Sequence, residues 1–277
     1  MLFAAPSLRL APLAVSPGAE VDSLFGTSAD LWAIGLIFMR LASLVMLMPG
    51  IGDQAVPPRY RLSLALVLAL VVTPIVRHTL PPMPLTIGGM TGQVLHEVII
   101  GLMLGTLMRV LMYSLATTGE IMSLQTTLSF AQTANPAQAQ PSTSIGTFMA
   151  MLGLILIYAT NLHHLFIRAM VDSFTVFPAT KPVMIGDAVT LMVQTVSRSF
   201  LLAMQMAAPL IAFGLIFNIA VGFVGRMMPN FPIFFAATPL NVLLGLALLA
   251  LSLGSIGMVF IDHYQDFMAV FLRRANG

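Results

Sequence analysis

Residues 225–241 read GRMMPNFPIFFAATPLN, and apolar sequence flanks them on both sides. An uninterrupted spanning helix has no use for an arginine, two asparagines and three prolines within one membrane's depth. Proline lacks a backbone donor and its ring clashes with the preceding turn, so Pro229 and Pro232 are expected to end or sharply kink a helix. Arg226, Pro229, Asn230 and Pro232 then form the tip of a helical hairpin. The tip is either an ordinary loop or a working part that touches a neighbouring subunit.

Composition extends the membrane reading to the whole chain. Of 277 residues, 58% are hydrophobic and only 8% charged, with a mean hydropathy of +0.96. A soluble domain carries about a quarter of its residues as charges. The class is therefore an all-α integral membrane protein built from helical hairpins with kinked or broken helices. The formal charge of +2 contains no basic block of the kind that binds nucleic acid. The absence of cysteine excludes disulfides, thiolate metal sites and cysteine catalysis. Residues 1–30 are less apolar and carry Pro6, Pro12, Pro17, Glu20 and Asp22. They lack a basic region followed by a continuous apolar one, so a mobile N-terminal segment is expected rather than a cleaved signal peptide.

Apolar runs follow at residues 31–48, 62–76, 94–115, 145–167, 188–224 and 231–261, and they predict between six and eight helices. Each run is irregular. The first contains Arg40, and the second stops at Pro74 and Arg77. The third holds His96, Glu97 and Arg109, and the fourth ends in Asn161, His163 and His164. The fifth is broken by Arg198 and Pro209, and the last exceeds the roughly 20 residues of a simple span. A charge inside the bilayer costs about 2.5–3.5 kcal/mol on insertion scales. Such charges are expected to pair within a helical bundle or to lie on helices shielded from lipid.

Glu97, Gly101, Gly105 and Arg109 recur at four-residue spacing and drift slowly around one helix face. The two glycines let another backbone approach closely. One reading is a proton-carrying carboxylate; the other is a close-packed helix interface. Glu97 and Arg109 are too far apart along one straight helix to pair directly, so each is expected to meet another helix or subunit. Adjacent His163 and His164 point about 100° apart on a helix and do not readily share a metal ion. His96–Glu97 begins like a zinc-protease motif, but Ile100 stands where the second histidine belongs. No nucleophile elbow, Walker loop or dinucleotide fingerprint occurs, so no catalytic, cofactor-binding or metal-binding residue is assigned. Residues 132–144, QTANPAQAQPSTS, have no charge and no large apolar side chain and must be a loop. At that length the loop is either a solvated connector or functional.

In order along the chain stand MPGIGDQAVPPRYR (48–61), HEVIIGLMLG (96–105), GEIMSLQTTLSFAQTANP (119–136), NLHHLFIRAMVDSF (161–174) and AAPLIAFGLIFNIAVGFVGRMMPNFPIFFAATPLN (207–241). Together they resemble the FliR family of flagellar export-gate proteins, whose relatives serve virulence-associated type III secretion. Many family members have an acidic residue where Asn135 stands and a basic one where Asn241 stands. The resemblance implies a FliP-like part over residues 31–184 and a FliQ-like hairpin over 185–277. It further implies assembly with FliP and FliQ into a ring through which unfolded flagellar subunits pass, beside FlhB and FlhA-like export proteins in the bacterial inner membrane. Much of that gate is expected on the periplasmic side of the bilayer, with apolar helices buried against protein. It makes residues 132–144 a candidate plug, with Gln132, Asn135, Pro136, Gln138, Gln140 and Pro141 in it and Phe130 at its margin. The rival reading is a proton-coupled secondary transporter using Glu97, Arg109 and Glu120; no internal repeat of the kind common in transporters is visible.

Overall fold

The structure is a computed structural model that describes residues 27–53, 55–129, 143–181, 185–228, 230 and 232–275. Residues 1–26 of the N-terminal segment, residues 132–142 of the candidate plug with Gln132, Asn135, Pro136, Gln138, Gln140 and Pro141, its margin Phe130 and the tip residue Pro229 lie outside the described residues.

The described chain is helical, with no strand. Helix α1 spans Ser28–Leu47 and opens on a capping box, in which Thr27 and Asp30 satisfy each other's backbone N–H groups. Helix α2, Pro58–Val76, starts with proline in its first turn, where the missing N–H costs nothing. A single 3-10 turn, Arg77–Thr79, closes it. Helix α3 runs Ile87–Gln125, with the Thr86 hydroxyl accepting from the Gly89 N–H. Helix α4 is Ser144–Ala159, capped by Thr143, and α5 is His163–Val176. Helices α6, Ile185–Met227, and α7, Ile233–Ala275, form the C-terminal hairpin.

Proline behaves in two ways here. Helix α6 ends at Met227, before Pro229, and α7 starts directly after Pro232. Pro74, Pro209 and Pro239 instead sit inside continuous helices. The expected stop at Pro74 and Arg77 is found, since α2 ends at Val76, two residues past the proline. The expected break at Pro209 is not, and α6 continues past the lost bond, as helices among apolar neighbours can. The run 145–167 divides instead. Asn161 adopts a left-handed φ of 58°, and α4 and α5 meet at a 76° bend. Asparagine is one of the few residues that enters this conformation readily.

Helix α3 is the central strut, packed against α1, α4 and α6. Its Ile100, Leu104, Leu107 and Leu115 join Leu41, Leu44 and Val45 of α1, Met149 and Ile157 of α4 and Phe166 and Phe174 of α5 in one buried core. Helix α5 packs on α7, where Phe166 meets Tyr264 edge to face at 5.7 Å. Five helices are long and apolar enough to cross a membrane, and the bent α4–α5 pair makes a sixth candidate. With 39 residues in α3 and 43 each in α6 and α7, the longest helices reach roughly 60 Å, about twice a bilayer's hydrocarbon core.

Candidate functional site

Arg40 of α1 and Glu97 of α3 form a salt bridge with no exposed surface. Nε donates to Glu97 Oε2 at 2.5 Å, and Nη2 donates to Oε1 at 3.0 Å. The same guanidinium donates to the carbonyls of Ser173 and Phe177, both at 2.9 Å, and lies 4.2 Å over the Phe174 ring. One arginine thus ties α1, α3 and the end of α5 together. Its planar fork suits this task because each contact uses a separate donor. His96 Nε2 lies 2.9 Å from the Lys181 carbonyl, which connects the same cluster to the segment before α6.

The small face beside Glu97 is occupied by this chain's own α1. A Cβ on Gly101 would collide with the Ser43 hydroxyl and the Arg40 carbonyl. One on Gly105 would lie 2.8 Å from Leu47 Cβ and 3.0 Å from the Leu44 carbonyl. Arg109 does not meet Glu97. Its Nε donates to the Tyr113 hydroxyl at 3.0 Å, and its Nη2 lies 3.8 Å from Asp53 in the α1–α2 loop. Glu120 Oε1 accepts from the Thr143 backbone N–H at 2.7 Å, at the start of α4. Beside it Gly119 and Gly146 allow α3 and α4 to touch backbone to backbone. Glu97, Arg109 and Glu120 therefore serve three different contacts, spread over roughly 35 Å of one helix.

The end of α3 carries a contact that the sequence reading missed. Asn241 of α7 is 2% exposed and donates its amide N–H to the Gln125 carbonyl at 3.2 Å. Gln125 presses its side-chain oxygen against Gly214 of α6, and Thr126 presses its methyl against Gly245 of α7. A two-glycine socket on the hairpin thus receives the last turn of α3, immediately before the segment read as a plug. Thr127 next to it holds a left-handed φ of 59°. The signal was Asn241 itself, a buried amide in an apolar run, with glycines on the facing helices.

At the hairpin tip Arg226, Asn230 and Pro232 are exposed. A cleft of about 640 Å³ opens there between Asn218, Val221, Gly222, Gly225 and Pro232. Above it the hairpin is largely bare. Only 17% of the most apolar stretch of α6 and 22% of that of α7 is buried, against 56% and 61% in α1 and α3. The His163 and His164 rings lie 4.2 Å apart, with Tyr158 stacked 5.2 Å from His163. Among the described residues no group of three metal-ligating side chains converges.

Long apolar helices, a charge pair sealed inside the bundle and an uncovered hairpin define a polytopic helical membrane protein. The chain belongs to the bacterial export proteins, family 1, which it matches over residues 31–267. It is 55% identical over 247 residues to the flagellar biosynthetic protein FliR of Caulobacter vibrioides, covering 89% of this chain and 98% of that one. It is 30% identical over 214 residues to the FliR of Escherichia coli, covering 76% and 80% of the two chains. With the FliR of Aquifex aeolicus the identity is 29% over 236 residues, covering 85% and 91%. The chain is a membrane-embedded, non-enzymatic component of the flagellar export apparatus.

Proposed function

We propose that this chain is a core subunit of the flagellar export gate, forming with FliP and FliQ the channel through which unfolded flagellar subunits leave the cytoplasm. The observation that carries the reading is the contrast between a cross-tied bundle, α1 to α5, and a hairpin whose two 43-residue helices leave most of their apolar surface uncovered. At roughly 65 Å the two helices are longer than a bilayer is thick, so lipid alone does not cover the hairpin. Neighbouring helical subunits complete it. On this reading the FliP-like part is residues 31–184, the FliQ-like hairpin is 185–277, and the inner membrane carries the assembly beside FlhB and FlhA-like proteins. Residues 132–144 close the passage, and the tip around Arg226 and Asn230 faces the entry side.

The transporter alternative needs a carboxylate free to exchange protons. Glu97 is sealed from solvent with Arg40 across both its oxygens, and Glu120 is spent on the start of α4. Flagellar rather than virulence export is favoured by the relatives, which bear the flagellar name. Solubilising the chain alone and with co-expressed FliP and FliQ tests the proposal. A gate subunit recovers as a stable species only with its partners; a monodisperse, stable chain by itself contradicts the proposal.

A further inference from the structure

Going down the hairpin from Arg198, residues 199–225 of α6 contain no charged side chain or histidine, and neither do residues 233–261 of α7. The uncharged band is about 40 Å long, the hydrocarbon core of a bilayer plus its headgroup layers. At the Arg198 end of the band, away from the tip, the helices part around a cleft of about 330 Å³. Leu111, Leu202 and Phe267 make its apolar floor, and Arg198, His263 and Asp266 stand around it.

The polar groups are divided by sign. Arg198 on α6 is exposed and forms no ion pair among the described residues, and the same holds for Asp266 on α7. His263 Nδ1 lies 2.9 Å from the Val259 carbonyl. A carbonyl only accepts, so Nδ1 carries the proton and a neutral ring keeps Nε2 as an acceptor. One wall therefore offers a guanidinium donor fork and the other offers two acceptors. Below them, Phe200, Leu201 and Met204 expose an apolar track along α6.

We propose that this cleft is a binding site for a zwitterionic phospholipid of the phosphatidylethanolamine type. The phosphate takes the Arg198 fork, as guanidinium and phosphate geometries match. The primary ammonium gives its N–H donors to Asp266 and His263, and an acyl chain follows the track past Leu201 and Met204. An anionic lipid satisfies Arg198 alone and leaves Asp266 facing like charge. A choline headgroup has no N–H to give. The site depends on membrane embedding and not on the channel reading, so the two stand or fall separately.

Native mass spectrometry of the full chain, extracted with its bound partners, delipidated and titrated with defined lipids, tests this. Palmitoyl-oleoyl phosphatidylethanolamine is expected to be retained about tenfold more tightly than the phosphatidylcholine or phosphatidylglycerol of the same chains, the scale of one charge-assisted contact. Asp266→Asn should remove the preference over phosphatidylglycerol, and Arg198→Gln should weaken both. Both side chains are exposed, so neither change disturbs the core. Equal retention of the three lipids by the parent chain overturns the proposal without any variant. So does an ethanolamine preference unchanged by both substitutions, or a partner subunit that keeps all three lipids out of the cleft.

Discussion

The Arg40 guanidinium grips both carboxylate oxygens of Glu97, fifty-seven positions away in the chain, and neither side chain touches solvent. Its two remaining hydrogen bonds reach the carbonyls of Ser173 and Phe177, so a single side chain decides how α1, α3 and α5 sit together. Breaking a buried pair by removing one partner costs about 3–5 kcal/mol, because the other charge stays buried without compensation.

Glu97→Gln and Arg40→Leu should therefore differ. The amide keeps one acceptor for Arg40 and retains the shape, so export should fall modestly and in step with the amount of assembled complex. Arg40→Leu leaves the buried Glu97 carboxylate with only the His96 ring, 3.4 Å away, and takes a donor from the Ser173 and Phe177 carbonyls. It should remove the folded chain from membranes. Quantitative immunoblotting beside a motility assay separates the two effects. Normal assembly of Glu97→Gln with complete loss of export would assign the carboxylate to proton transfer instead.

Replacing Gly101 or Gly105 with leucine should push α1 away from α3. The collision at Gly101 is with the Arg40 carbonyl as well as the Ser43 hydroxyl, and at Gly105 with Leu47 Cβ and the Leu44 carbonyl. The backbone groups and the Cβ cannot swing aside as a flexible side-chain end can. Overpacking of this kind costs about 1–3 kcal/mol or more. The prediction is a lower unfolding midpoint of the chain in detergent, since the facing helix is its own. An unchanged midpoint with weaker recovery of FliP and FliQ would move that glycine face to a subunit boundary.

The socket for the end of α3 gives a separate expectation. Gly245→Val places carbon where the Thr126 methyl sits, and Asn241→Leu removes the donor to the Gln125 carbonyl. Both should loosen the α3 terminus while leaving the distant Arg40 pair intact. Hydrogen exchange at residues 122–127 should rise, with exchange at residues 97–105 unchanged. Uniform exchange across α3 in the two variants would show that the socket carries no local restraint.

Arg226 lies exposed in the last turn of α6, where a cation also complements the helix dipole. That local benefit is worth only about 0.3–1 kcal/mol. Arg226→Ala should thus leave complex abundance nearly intact while lowering export. A parallel fall in both would make the tip a structural element only.

The membrane class, the helical hairpins and the end of α6 before Pro229 were legible because composition and backbone chemistry are local. Partnerships were not. Nothing in the residues around Glu97 names Arg40, and Arg40 registered only as an irregularity in an apolar run. The glycine face at Gly101 and Gly105 announced a close neighbour, but periodicity does not say whether that neighbour is another subunit or α1. Pro209 misled for a different reason. A proline's missing hydrogen bond is a fixed local loss, whereas the packing that keeps a helix continuous past it is tertiary. Asn241 was conspicuous in the sequence, yet its acceptor, the Gln125 carbonyl, is a backbone group and leaves no mark in a residue pattern.

Because the chain has no cysteine, single cysteines placed in it report contacts without background. The most direct test of the gate is disulfide cross-linking to a flagellar subunit arrested during export by a tightly folded C-terminal fusion, with a cysteine in its unfolded portion. Cysteine at Gln138, in the proposed plug, should cross-link to the arrested subunit in intact cells. Cysteine at Leu66, on the outer face of α2, should not. Absence of the Gln138 product while the arrested substrate blocks motility, or equal yield at both positions, contradicts a passage lined by this chain.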